Sequence, residues 1–222
     1  MKNTVIVFAR APRLGTVKRR LARDIGDRAA LRFHVATLLG LLRSLRADRT
    51  IRTVLAVAPD RARFRLPGLG SSSSSRRMPG PTTSCVPALQ VVGPGMRRDD
   101  GGGVAGMTWI PQGSGDIGQR MDRACRRFPR GNVLIVGCDI PAANAADARE
   151  AFKALSRADA VFGPAQDGGY WLVGMGPRRP ARPFAKARWS SEHALADTLV
   201  NFVCRKIARI RTLRDVDSTA DL

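Results

Sequence analysis

The chain has 222 residues, 38 Lys and Arg against 18 Asp and Glu, and a formal net charge of +20. With 44% hydrophobic and 25% charged residues its composition is that of a globular protein, which excludes collagen-like, coiled-coil and wholly disordered classes. No apolar run reaches the ~18–20 residues of a membrane span, and the opening MKNTVIVFAR lacks the apolar length and the small-residue cleavage site of a secretory signal.

Residues 4–9 (TVIVFA) are a β-branched apolar run, the pattern of a strand buried on both faces. The turn-like APRLG follows, and TVKRRLARDIG reads as a short helix opening at Thr16. Asp27 is placed to cap a second helix in which Leu31, Val35, Leu38, Leu42 and Leu45 recur at helical spacing. Residues 51–58 (IRTVLAVA) are a second strand closed by Pro59-Asp60, and the order β–loop–α–β predicts a parallel sheet with helical crossovers.

The pattern breaks from Gly68 to Gly106, where nine Gly, four Pro and six Ser make up about half of 39 residues. Such a stretch has too few apolar side chains to offset the entropy of ordering it, so it reads as a mobile insertion with one short strand near Leu89–Val92. The remaining residues suit a single domain.

Regular structure resumes with a helix over 114–128, its first turn holding Asp116, and a strand over 132–138 (NVLIVGC). A helix at about 145–156, strands at 159–163 and 170–175, a helix from about Ser191 to Cys204, the strand-like KIARIRTL and a terminal DVDSTADL complete the chain.

The four cysteines, Cys85, Cys125, Cys138 and Cys204, form no CxxC pair and read as reduced thiols of a cytoplasmic protein. His34 and His193 have no cysteine near them in sequence, which argues against zinc, and His34 reads as structural. Only five of the basic residues are Lys; the 33 Arg are spread along the chain, and aromatic residues are 5%. That distribution lacks the clustered charge and stacking surfaces of a nucleic-acid site and argues against such a partner.

Four segments carry candidate chemistry. The strand ending in Cys138-Asp139-Ile140-Pro141 puts a carboxylate where open α/β sheets bind ligands. There Asp139 either caps the next turn or holds a hard divalent cation, Mg²⁺ or Mn²⁺. The first βα loop, with Arg10, Arg13, Gly15 and Lys18, is either a basic surface loop or a phosphate cradle at a helix N-terminus. Asp167-Gly168-Gly169 is a hairpin-turn signal that also suits hydrogen bonding to a substrate hydroxyl. Gly115 and Asp116 open a helix, and the glycines around them leave room for a ligand. Asp215 and Asp217 are solvated unless the tail folds back over the crevice.

In order, ARAPRLGTVKRRLA, QGSGDIGQRM, LIVGCDIP, GPAQDGGYWLVG, WSSE and DVDSTADL resemble the bacterial GT-A-type nucleotide-diphospho-sugar transferase superfamily. The likeness is to its short cytoplasmic members, some known as arsenosugar-biosynthesis glycosyltransferases, and spans the chain apart from residues 61–107. It implies a single Rossmann-like domain, a three-layer α/β/α sandwich with a mainly parallel sheet. It further implies a metal-dependent glycosyltransferase that takes a nucleotide-diphosphate sugar donor and a small-molecule acceptor. By matched position Ala9, Arg10, Ala11 and Gly15 would line the nucleotide, with Lys18 and Arg13 on the diphosphate. Asp139 would bind the metal, Asp217 would be a second carboxylate near it, and Asp167, Gly168 and Gly169 would face the sugar or acceptor. The first helix departs from the usual Lys-Thr-Arg, reading Lys18-Arg19-Arg20. Rival readings are a nucleotidyltransferase of the same fold (molybdopterin- or phospholactate-type), a basic nucleic-acid-binding module, and a non-catalytic nucleotide-sugar binder.

Overall fold

The computed structural model describes residues 3–62, 64, 66 and 107–221. The expected insertion at 68–106, its strand at 89–92 and Cys85 lie outside the described residues. The elements in order are β1 (Asn3–Arg10), α1 (Arg19–Ile25), α2 (Asp27–Ala47), β2 (Ile51–Ala58), β3 (Thr108–Pro111), α3 (Ile117–Arg126) and β4 (Val133–Gly137). They continue with α4 (Ala145–Leu155), β5 (Ala160–Pro164), β6 (Tyr170–Met175), α5 (Ala194–Val200), β7 (Ile207–Arg209) and a 3₁₀ turn at Thr219–Asp221.

Among the described residues seven strands form one sheet in the order β3-β2-β1-β4-β6-β5-β7. β1 pairs in parallel with β2 and β4, β2 with β3, and β5 with β7, while β6 runs antiparallel to both its neighbours. Alternate residues of each central strand feed two cores. Val5, Val7, Leu55, Leu134 and Val136 pack under α2 and α4. Ile6, Phe8, Val54, Val133 and Ile135 pack with residues of α3 such as Met121 and Ala124. Burial on both faces is what makes these strands read as nearly continuous apolar runs, and it produces the three-layer α/β/α sandwich. Among the described residues no helix is long and apolar enough to cross a membrane.

Several boundaries differ from expectation. α1 starts at Arg19 because Lys18 adopts a left-handed backbone (φ 47, ψ 48) that cannot belong to the helix. Thr16 instead closes a turn, its hydroxyl donating to the Arg13 carbonyl at 2.9 Å. Asp27 is the first residue of α2 and not its cap; Gly26, with φ 81, forms the joint where α1 and α2 abut. The edge strand β3 was not expected, and α5 is shorter than the predicted helix from about Ser191 to Cys204. The Asp167 segment is a turn between the antiparallel strands β5 and β6, as its glycines predict.

Candidate functional site

β1 lies between β2 and β4, and the chain leaving β1 returns as β2 on one side of it while the chain leaving β4 goes on to β5 on the other, so the two connections run in opposite directions along the sheet. This switch point is where open α/β sheets bind ligands. A crevice of about 740 Å³ opens there, walled by Ala9 and Arg10 from β1, Lys18 and Arg20, Cys138 and Asp139 just past β4, and Asp217 from the C-terminal tail.

Lys18 is the centre of the charge pattern. Its side chain is only 4% exposed, and Nζ lies 2.9 Å from Asp217 Oδ1 and 3.4 Å from Asp139 Oδ1. Burial pulls the ammonium down, but the two carboxylates outweigh it and hold its pKa above the ordinary value. Arg20, fully on the surface side, reaches the other Asp217 oxygen at 3.8 Å. The tail therefore does fold back over the crevice. The Val216 N–H donates to the Asp139 carbonyl at 3.4 Å, and the Val216 side chain packs with Leu21 and Ala30. Asp221 secures the turn, accepting from the Asp217 and Ser218 N–H groups at 3.1 and 2.8 Å.

Two groups that were not expected join Asp139. His34 projects from the core face of α2 with 3% exposure, and its Nε2 lies 3.1 Å from the Arg10 carbonyl. A carbonyl only accepts, so Nε2 carries the proton and Nδ1 of the neutral ring presents a lone pair. Burial keeps the imidazole below its ordinary pKa. Nδ1 is buried, has no hydrogen-bond partner among the described residues, and lies 4.0 Å from Asp139 Oδ1. The Cys138 thiol, also buried, is 3.6 Å from the same oxygen. The donor atoms of His34, Cys138 and Asp139 all lie within 4.8 Å of one another. Distance along the sequence was thus no argument against a shared His/Cys site, since the sheet brings α2 against the end of β4.

The first loop divides. Ala9, Arg10 and Lys18 face the crevice, whereas Ala11, Arg13 and Gly15 are not on its wall. Ala11 is buried with its N–H bonded to the Ala58 carbonyl at 2.8 Å. Arg13 is exposed, and Gly15 takes the φ of 71 that its turn requires. Gly115 and Asp116 are also off the wall. Asp116 spends its carboxylate on a capping box at α3, accepting from the Gln119 N–H at 2.8 Å. What this segment does bring to the crevice is Gln112 and Arg120. Buried Gln112 donates to the Ala9 and Ala56 carbonyls and accepts from Arg120 at 3.3 Å, which holds the guanidinium at the rim.

A second pocket of about 220 Å³ adjoins the first and shares Asp139 with it; Asp167, Gly169, Tyr170, Trp189 and Asp215 line its far side. Asp167 braces its own turn by accepting from the Gly169 N–H at 2.9 Å. Burial and the Asp167 and Asp217 carboxylates push the Asp215 carboxyl above the ordinary range. Gly168 does not face this pocket. With φ 83, it backs onto the Glu192 carbonyl, which a Cβ would meet at 2.1 Å.

A seven-stranded, mostly parallel sheet between helical layers, with its crevice at the β1–β4 switch point, defines an α/β/α fold of the GT-A type. A family described as an uncharacterized protein conserved in bacteria (DUF2064) matches residues 84–191, starting inside the segment read as an insertion. No curated protein matches the sequence. Among solved structures the chain is similar to a protein of Desulfovibrio desulfuricans G20 provisionally named a nucleotide-diphospho-sugar transferase. The two share 20% identity and a TM-score of 0.75, over 98% of this chain and 84% of that one. It is also similar to 4-diphosphocytidyl-2C-methyl-D-erythritol synthase of Anaerococcus prevotii DSM 20548, at 9% identity and TM-score 0.54 over 99% and 94% of the chains. A hypothetical transferase of Thermus thermophilus matches at 15% identity and TM-score 0.50 over 100% and 99%. The chain shares its fold with these three proteins.

Proposed function

We propose that the chain is a glycosyltransferase that moves a sugar from a nucleotide-diphosphate sugar to a small-molecule acceptor, with a divalent cation at Asp139. The observation that carries this reading is the Lys18 ammonium held between Asp139 and Asp217 on the wall of the switch-point crevice. Arg10, Arg20 and Arg120 line the same space.

Lys18 is shared between two carboxylates, so negative charge stays local to Asp139 within a crevice that is otherwise basic. A divalent cation at Asp139 would offset it, and the His34 Nδ1 beside it supplies a neutral donor. Asp217 already has Lys18 and Arg20 as partners, so its part is to anchor the basic groups, and Asp139 is the carboxylate for the metal. Bound there, the cation would neutralise the nucleoside diphosphate as it leaves.

The protein's own groups supply the rest. Lys18 and the three arginines are preorganised to bind the diphosphate and stabilise the charge that grows on it as the sugar–oxygen bond breaks. Breaking that bond sends its electron pair to the nucleoside diphosphate, while the acceptor oxygen bonds to the sugar and gives up its proton to solvent. The second pocket suits the acceptor. Its aromatic side chains, Tyr170 and Trp189, cover apolar faces of sugar rings, and Asp167 would accept from a hydroxyl.

Calorimetric titration of UDP-, GDP- and dTDP-sugars with and without Mn²⁺ tests the proposal, comparing the wild type with Asp139→Asn. One nucleotide sugar should bind more tightly with the metal, and the substitution should remove that enhancement. Metal-dependent binding that survives in Asp139→Asn rules out this role for Asp139. The likeness to the Anaerococcus synthase favours one second reading, nucleotidyl transfer at the α-phosphate of a nucleoside triphosphate. Pyrophosphate release from a triphosphate in the presence of an acceptor would select it.

A further inference from the structure

We propose that His34, Cys138 and Asp139 form a mixed nitrogen, sulfur and oxygen site that selects zinc-type cations over Mg²⁺. It rests on the preceding reading only in taking Asp139 as the cation's carboxylate.

The Nε2–H of His34 is committed to the Arg10 carbonyl, so the lone pair on Nδ1 is directed at a space it shares with the Asp139 carboxylate 4.0 Å away. Asp139 Oδ1 already has the Lys18 ammonium at 3.4 Å and the Cys138 S–H at 3.6 Å, but among the described residues no donor meets Nδ1, and a cation bound beside Asp139 would satisfy that buried lone pair. The Lys18 ammonium does not serve both: it bonds to Asp217 and contacts Asp139, while Nδ1 has no partner among the described residues.

The third donor decides which cation suits. Cys138 Sγ lies 3.6 Å from Asp139 Oδ1, and all three donor atoms lie within 4.8 Å of one another. Zn²⁺ binds sulfur, imidazole nitrogen and carboxylate oxygen at about 2.0–2.3 Å. Mg²⁺ needs oxygen ligands and gives up water reluctantly, so a buried thiol and imidazole offer it little. Three protein donors leave a zinc ion a further position. His34, Cys138 and Asp139 all line the crevice, which gives that position access to a phosphate oxygen and gives the ion its path of entry. Binding turns the thiol into a thiolate and releases its proton to solvent. The thiolate and two carboxylates then balance the ion and Lys18.

The test uses Co²⁺, a spectroscopic substitute for zinc, titrated into the full chain without nucleotide. The expected result is a near-ultraviolet thiolate-to-cobalt charge-transfer band that saturates at one ion per chain. Zn²⁺ should displace it and Mg²⁺ should not. Cys138→Ser should abolish the band, whereas a Cys85→Ser/Cys204→Ser double variant should keep it. Because Cys138 is buried and its substitution threatens folding, half-exposed Asp139→Asn provides a second variant. It should weaken Co²⁺ binding at least by the about 10–100-fold that loss of an outer-shell partner causes. It should also cut the rise in melting temperature that Zn²⁺ gives the wild type. Absence of the band, its persistence in Cys138→Ser, or equal binding of Mg²⁺ and Zn²⁺ would overturn the proposal. No nucleotide is present, so these failures are distinct from a failure to bind nucleotide sugar.

Discussion

Lys18 and Asp217 stand 199 positions apart and meet at 2.9 Å, joining the first βα loop to the C-terminal tail across the crevice. The contact positions a buried ammonium and also fastens the tail. Val216 beside it sits in a small core with Leu21 and Ala30, apart from the two main cores of the sheet.

A double-mutant cycle measures that link. Lys18→Met and Asp217→Asn should each lower the urea midpoint without changing the slope of unfolding. The pair should lose less than the sum of the two, with a coupling of about 0.5–3 kcal/mol, the range of groups in direct contact. Asp217 is nearly half exposed, so solvent screening places the value in the lower part of that range. Strict additivity would show that the tail docks through its apolar contacts alone.

Much of the fold was legible because burial on both faces leaves a clear trace. β2 and β6 match the predicted residues 51–58 and 170–175, and both are flanked by turn residues that set their ends. β3 was missed because four residues, TWIP, are too few to show a period. The start of α1 was missed because nothing in a lysine announces a left-handed backbone. In the site, Asp139 and Lys18 stood out by chain position and by resemblance. His34 did not, because its partners come from a distant strand. A signal was nonetheless present: Ala30, His34, Leu38 and Leu42 recur every four residues, and all face the core. A histidine in such a row must find a buried partner.

The excess of arginine also acquires a structural reading. Arg179 donates to the carbonyls of Cys125, Phe128, Gly131 and Gly176 at 2.7–3.1 Å, holding the end of α3 and the loop after it. Only a planar fork with several donors satisfies so many acceptors, and an ammonium does not. Arg179→Lys should therefore destabilise the protein by about 1–3 kcal/mol, the cost of leaving buried acceptors unmet. Differential scanning calorimetry should show the melting temperature fall by roughly 2–4 °C for each kcal/mol. An unchanged melting temperature would mean that water replaces the guanidinium without loss.

The two adjacent glycines of the β5–β6 turn should separate stability from binding. Gly168 has φ 83, and an added Cβ would lie 2.1 Å from the Glu192 carbonyl oxygen, a backbone atom with no rotamer to change. Gly168→Ala should cost more than the about 1–2 kcal/mol of a left-handed non-glycine residue, because the chain around Glu192 must also move. That segment carries the Leu195 N–H bonded to the Gly168 carbonyl at 3.1 Å, so the entry to α5 should loosen with it. Gly169 lines the second pocket, and its added Cβ would meet only the Asp167 carboxylate, at 3.0 Å. Gly169→Ala should leave the urea midpoint within about 1 kcal/mol of wild type, since a side chain can give way. It should nonetheless weaken acceptor use, read as a raised KM for acceptor while the donor affinity from calorimetry stays the same. Equal destabilisation by both substitutions would show that the turn behaves as one rigid unit, and would remove the case for Gly169 as a separate wall of the acceptor pocket.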